Sequence, residues 1–258
     1  MAEKRFASVK SGLAAWSVPI LLIALWQVLA QTGLLSERIL PAPSAVFASA
    51  ASLTQSGDLF KYIGISTQRA VIGFIIGGGI GFALGLLNGL SSRAETLLDT
   101  SIQMLRNIPH LALIPLVILW FGIEEEAKIF LVALGVLFPI YLNTYHGLKS
   151  IDKGLIEAAR VYGLKGFSLF WHVILPAALP SILVGVRFSL GVMWITLIVA
   201  ETISANSGIG YMAMNAREFL QMDVVVLSII LYALLGKLSD VLAKVLEKKC
   251  LKWHPSYQ

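Results

Sequence analysis

The stretch AVIGFIIGGGIGFALGLLNGL, residues 70–90, carries no charge and a single amide, Asn88. A helix needs about 20 predominantly apolar residues to cross the hydrocarbon of a bilayer, so this run is long enough to cross alone. Gly73, Gly77, Gly81, Gly85 and Gly89 recur at every fourth position. On a helix that spacing strips side chains from one slowly turning stripe. A second helix can approach there and gain dispersion contacts that lipid does not supply. The stretch therefore predicts an embedded helix packed closely on a neighbour. A groove for substrate is the other use of such a stripe, and the regular spacing favours packing.

Composition agrees with a lipid setting. The 258 residues are 57% hydrophobic and 14% charged, against about a quarter charged in soluble domains. The net charge of +5 belongs to basic loops and tails that flank a membrane and does not point to nucleic acid. The single cysteine, Cys250, excludes an internal disulfide and a cysteine-based metal cluster. It lies in a basic tail and reads as an inert thiol, with membrane-edge acylation supported by position alone.

Apolar runs mark six spans, about residues 13–30, 70–90, 105–121, 127–145, 181–202 and 224–242. The chain reads as an all-α, polytopic membrane protein with one transmembrane domain over residues 1–258. The first run follows Lys4, Arg5 and Lys10, like a signal peptide, but it is longer than a signal's apolar core and is bracketed by Trp16 and Trp26. It reads as a retained span. The third and fourth runs are short and carry Pro109, Pro115 and Pro139. Broken helices lining a transport path and kinked helices packed for stability are equally good readings. Between the first two spans, LPAPSAVFASAASL (residues 40–53) predicts an interfacial helix with Val46, Phe47, Ala50 and Leu53 on one side.

Basic residues set the orientation. They gather at the N-terminus, in the loop after the fourth span (Lys149, Lys153, Arg160, Lys165) and in the tail (Lys237, Lys244, Lys248, Lys249, Lys252). The turn GIEEEAK after the third span is acidic. Both termini and the loop of about residues 146–180 are then expected on the cytoplasmic side.

Enzyme chemistry is not visible. The chain lacks G-x-x-x-x-G-K-[ST], H-E-x-x-H and G-x-S-x-G. His110, His146, His172 and His254 show no metal-ligand spacing. Few charges lie near the spans. Arg106 and His110 open the third, Arg187 lies early in the fifth and Glu201 near its far end. Such charges often mark a path. Snorkelling is the alternative for the arginines, and helix-end hydrogen bonding is the alternative for Glu201. Arg106, His110 and Glu201 are the candidate path residues, and Arg106 or His110 suits an anion.

The loop after the fourth span contains SIDKGLIEAARVYGLKGFSLFWHVILP, residues 150–176. Ser150 or Asp152 can cap a short helix. Leu155, Ala159 and Tyr162 share a face, and Gly163 is placed to stop it. A second short helix starts near Ser168, and Pro176 and Pro180 are expected to redirect the chain into the fifth span. The result is a helix–turn–helix elbow, small-sided at Ala158 and Ala159. It is either a docking surface or a connector packed on its own domain.

Glu157-Ala158-Ala159, Gly163 and VILP with Leu175-Pro176 resemble the E-A-A-x(3)-G-x(9)-I-x-L-P loop of ABC importer permeases, with Val173 in place of the usual Ile. LPAPSAVF, IPHLALIPLVILWFGI, FPIYLNT and ETISANSGIGYMAMNAREF look like the branch that serves nitrate, taurine and aliphatic sulfonates. RNIPHLALIPL looks like its sulfonate subgroup. The resemblance implies a type I importer architecture and a permease homodimer in the bacterial inner membrane. It further implies two ATPase subunits that hold ATP and Mg, and an external solute-binding protein. Glu157, Ala158, Ala159, Gly163, Leu175 and Pro176 would form the coupling loop that receives ATP-driven motion. This chain would hold no cofactor or metal itself. The implied cargo is an aliphatic sulfonate, with taurine, nitrate or another small solute as alternatives. An ion-coupled secondary transporter, which should carry midplane acid–base pairs and no docking loop, and a membrane-bound enzyme or scaffold are the competing classes.

Overall fold

The computed structural model describes the backbone of residues 2–253 and the side chains of residues 17–203 and 205–253. Lys4, Arg5, Lys10, Trp16 and His254 lie outside the described side chains. The helices are α1 (Ala2–Gln31), α2 (Pro43–Gln55), α3 (Asp58–Leu90), α4 (Ser92–Arg106), α5 (Ile114–Phe121), α6 (Glu125–Lys149), α7 (Lys153–Val161), α8 (Gly166–Leu169), α9 (Leu175–Ser204), α10 (Ile209–Glu218) and α11 (Met222–Cys250). Among the described residues there is no strand.

Among the described residues, four stretches are long and apolar enough to cross a membrane alone: Asp58–Leu90, Glu125–Lys149, Gly166–Ile203 and Met222–Cys250. A fifth is a bent pair, α4 with His110–Phe121, folded by 77°. The bend has a cause. Pro109 cannot donate to a helical ladder and disfavours helix at Ile108, so α4 ends and a 3₁₀ turn, His110–Leu113, restarts the chain. The sixth apolar helix is α1, with Ser17–Gln31 as its described apolar part.

The chain divides into two compact units. Met1–Tyr62 with Met212–Ile230 form the first. There Gln27 and Ser44 exchange two hydrogen bonds of 3.1 Å, tying α1 to the start of α2, and Ser49 donates to Asp223. The expected α2 face is only partly right: Val46 is buried, but Phe47 points outward.

The second unit, Ile63–Tyr211 with Leu231–Gln258, is organised around α6. Its buried residues include Leu131, Val132, Val136, Ile140, Tyr141 and Leu148. One side of α6 meets the glycine stripe of α3. A Cβ at Gly73 would lie 2.6 Å from Val132, one at Gly85 2.6 Å from Thr144 and one at Gly89 2.5 Å from Leu148. At Gly77 and Gly81 it would strike the carbonyls of Ala133 and Leu137. Contacts climb in step along both chains, so α3 and α6 run parallel. The other side of α6 meets α9 antiparallel: Gly185 lies against Asn143, Gly147 against Ser181 and Gly135 against Thr196. Antiparallel α11 follows, with Trp194 donating to Ser239 at 2.9 Å.

Two sequence expectations need correction. The helix that carries the second apolar run starts at Asp58, twelve residues before the run itself, because Asp58–Arg69 is helical but too polar to be counted by hydropathy. Pro176 and Pro180 do not redirect the chain. Gly166–Ile203 is one continuous helix, so residues 166–180 are helical and not an irregular loop. Just before Pro176 the ladder widens into a π-turn, Phe170–Ile174, with the Leu175 amide reaching Phe170 five residues back. A π-turn opens room in the ladder for a residue that has no N–H and a ring that crowds the preceding turn.

Candidate functional site

At the end where α6 finishes, Asp152 rather than Ser150 caps α7, accepting from the Gly154 amide at 2.7 Å. The helix stops in a Schellman turn: Leu164 donates to the Ala159 carbonyl (3.1 Å) and Gly163 to that of Arg160 (2.9 Å). Gly163 has φ +88° and Gly166 φ +53°, which other residues adopt only with strain. Ala159 is buried against the chain itself, while Glu157, Ala158 and Gly163 are exposed and Leu175 and Pro176 half-buried. The elbow also displays large apolar groups: Val161 is 86% and Tyr162 88% exposed. Phe167 is exposed as well and stacks on Trp171 with centroids 6.1 Å apart. The tip therefore gathers exposed apolar side chains around two glycine turns.

At the opposite end of α6 sits a buried charge network. Glu201 has a side chain fully closed to solvent. Its oxygens accept from Ser66 (2.8 Å), Arg69 (2.7 Å), the Gly210 amide (2.8 Å) and Tyr232 (2.8 Å). Arg69 donates bidentately to Glu125, at 2.5 and 2.6 Å, and to the carbonyl and hydroxyl of Ser207, at 2.6 and 2.7 Å. All five of its N–H groups are occupied. Ser66 in turn accepts from the Ile209 amide at 2.8 Å, so Ser66 and Glu201 together satisfy amides at the start of α10. Gly208, at φ +100°, has no room for a side chain: a Cβ would lie 2.5 Å from Glu201 and 2.6 Å from Arg69. Lys128, also buried, folds back on the carbonyls of Ile123 (2.9 Å) and Glu124 (3.1 Å).

The three candidate path residues make separate contacts. Glu201 sits in the network. His110 Nε2 lies 3.1 Å from Thr196 Oγ1, over Gly135, where a Cβ would come within 3.2 Å of the ring. Arg106 is exposed in the last turn of α4, where a cation suits the helix end.

A polar ladder that sequence reasoning missed ties α4 to α6. Tyr145 donates to Glu95 (2.5 Å) and Tyr141 to Asp99 (2.9 Å). Lys149 reaches Glu95 at 2.5 Å and Asn88 donates to Tyr141 at 2.9 Å. The available signal was the matching four-residue spacing of the two carboxylates and the two tyrosines.

The family model described as binding-protein-dependent transport system inner membrane component matches residues 75–252. The chain belongs to this family. Its members are permease subunits of ABC importers, transport components and not enzymes. The permease is 66% identical over 245 residues to the aliphatic sulfonates transport permease protein SsuC of Escherichia coli (strain K12), covering 95% of this chain and 93% of that protein. It is 47% identical over 256 residues to the SsuC of Bacillus subtilis (strain 168), covering 99% and 91%. It is 34% identical to the taurine transport system permease protein TauC of E. coli (strain K12), over 92% of this chain and 88% of that one. In fold the permease is similar to a chain of the MetNI methionine ABC transporter in an inward-facing conformation, with a TM-score of 0.54 at 19% identity over 74% of this chain and 94% of that one.

Proposed function

We propose that this permease forms the membrane path of an importer for organosulfonate anions. The observation that carries the reading is the 66% identity to an aliphatic sulfonates permease along 95% of the chain. Two copies form the path by alternating access, both termini lie in the cytoplasm, and an external solute-binding protein delivers cargo. Two separate ATPase subunits hold ATP and Mg. The elbow of α7 and α8, built from Glu157, Ala158, Ala159 and Gly163, seats on the ATPase; Ala159 packs inward and the exposed Glu157, Ala158 and Gly163 face the partner, with Leu175 and Pro176 passing the motion into α9. The capped helix, the Schellman turn at Gly163 and the exposed Val161, Tyr162 and Phe167 support that docking role.

The test is uptake by vesicles holding the permease with its ATPase and binding protein. Labelled ethanesulfonate enters in an ATP-dependent manner and in preference to taurine and nitrate. Preferred uptake of taurine or nitrate would move the cargo within the branch. Uptake of ethanesulfonate without any ATPase would instead make the chain a secondary transporter and overturn the reading.

A further inference from the structure

We propose that the crevice between α9 and α11, at the α7 end, is a station for an amphiphilic anion: a sulfonate head with a short apolar chain, held by the Arg187 guanidinium. This rests on the sulfonate-permease reading and adds to it a residue and a place. The crevice has a volume of about 490 Å³ and is lined by Val184, Arg187, Phe188, Ile195, Gly236 and Asp240 among others. Small-ligand sites have this size and this make-up, mostly apolar with a few placed polar groups.

Arg187 Nε donates to Asp240 at 2.8 Å, while Nη1 lies 3.8 Å from Glu247, longer than a hydrogen bond. The side chain is 40% exposed. One edge of the guanidinium is thus anchored and another faces the crevice. Arg69, by contrast, has no donor left to offer. Lys244 and Lys237 also crowd Asp240, at 2.9 and 3.6 Å. Asp240 is therefore shared by three cations, Arg187, Lys237 and Lys244, and only part of its charge is spent on Arg187. A guanidinium fork suits the oxygens of an oxyanion. Charged groups within spans face protein or a watery cavity and not acyl chains, so the crevice opens onto a path. Along α9, Val184, Phe188, Gly191 and Ile195 fall on one face, and a Cβ placed at Gly191 or Gly236 would meet nothing within 4 Å. That leaves room for an alkyl chain beside the fixed cation.

The experiment is equilibrium binding of labelled hexanesulfonate to the purified permease–ATPase complex, with uptake measured in parallel. Wild type binds saturably. Arg187→Gln weakens binding tenfold or more, and Arg187→Lys, a point charge without the fork, falls between. Gly191→Leu fills the crevice and lowers the ratio of hexanesulfonate to methanesulfonate uptake several-fold. Co-purification of the ATPase checks that each variant is folded. Wild-type affinity in Arg187→Gln overturns the proposal. So does label displaced by anionic phospholipid and not by unlabelled sulfonate, which assigns the crevice to a lipid headgroup. Failure of the function reading looks different: wild type then shows no ATP-driven sulfonate uptake at all.

Discussion

Glu201 and Arg69 meet at 2.7 Å with both side chains closed to solvent, although 132 residues separate them in sequence. Around this pair are gathered the third turn of α3, the start of α6, the end of α9, the Ser207–Gly208 turn and Tyr232. Buried ions are costly unless every donor and acceptor is matched, and here the matching is dense. It ties α3, α6, α9 and α11 to one another. The carboxylate's oxygens are already engaged by four groups of the protein, which leaves it poorly suited to meeting cargo.

Glu201→Ala should therefore act on stability before transport. Removing one partner of a buried pair costs about 3–5 kcal/mol, and Arg69→Met should cost a similar amount. The double variant should lose clearly less than the sum, because neither charge is then left without the other. Thermal unfolding in detergent of the singles and the double measures this, and strict additivity would disprove the coupling.

The α3–α6 contact makes a contrast within one glycine run. Gly77→Ala drives a methyl into the Ala133 carbonyl and should destabilise by about 1–3 kcal/mol. Gly79→Ala, where a Cβ meets nothing within 4 Å, should be neutral or stabilise by up to about 1 kcal/mol through helix propensity. Equal unfolding midpoints for the two variants would mean that the helices do not pack in this register.

At the elbow, Tyr162→Ala removes a ring that touches little of its own chain. Permease stability should stay within about 0.5 kcal/mol of wild type. Association with the ATPase should fall by about tenfold or more, as for an aromatic interface anchor. Glu157→Lys should weaken the same association while leaving the protein in the membrane. Quantitative co-purification reads both variants, and unchanged recovery of the ATPase would remove the docking role.

The ladder between α4 and α6 predicts an order. Hydrogen bonds to charged groups contribute about 1.5–3 kcal/mol each. Tyr141→Phe strips partners from Asp99 and from buried Asn88 at once. Tyr145→Phe takes a partner from Glu95 only, which keeps Lys149. The first should therefore loosen α4 more than the second. Trypsin cutting at the exposed Arg93 and Arg106 reports the loosening, and the opposite order would contradict the geometry.

Much of this architecture was legible as sequence. The apolar runs located α6 and the main part of α3, α9 and α11, because burial in lipid demands length and composition that few other settings demand. Gly163 as a helix stop was readable because its requirement is local. The charge network was not. Ser66 and Arg69 share a face of α3, but Glu125, Glu201, Ser207 and Tyr232 come from α6, α9, the following turn and α11, so only the packed bundle brings them together. The unbroken passage through Pro176 was hidden for a related reason: proline signals a missing donor, and whether the helix ends or widens its ladder is decided by what surrounds it. Asp58–Arg69 escaped because a polar helix end looks like a loop to a hydropathy count.

The π-turn before Pro176 has a mechanical consequence. Because the ladder widens instead of breaking, helix runs without interruption from Gly166 to Ile203, and 38 residues at about 1.5 Å each make a lever of about 57 Å. A tilt of about 10° imposed at Phe167 would sweep the far tip through about 10 Å. On the proposed docking role, leverage of that kind would turn a small stroke at the elbow into a large one at the far end of α9.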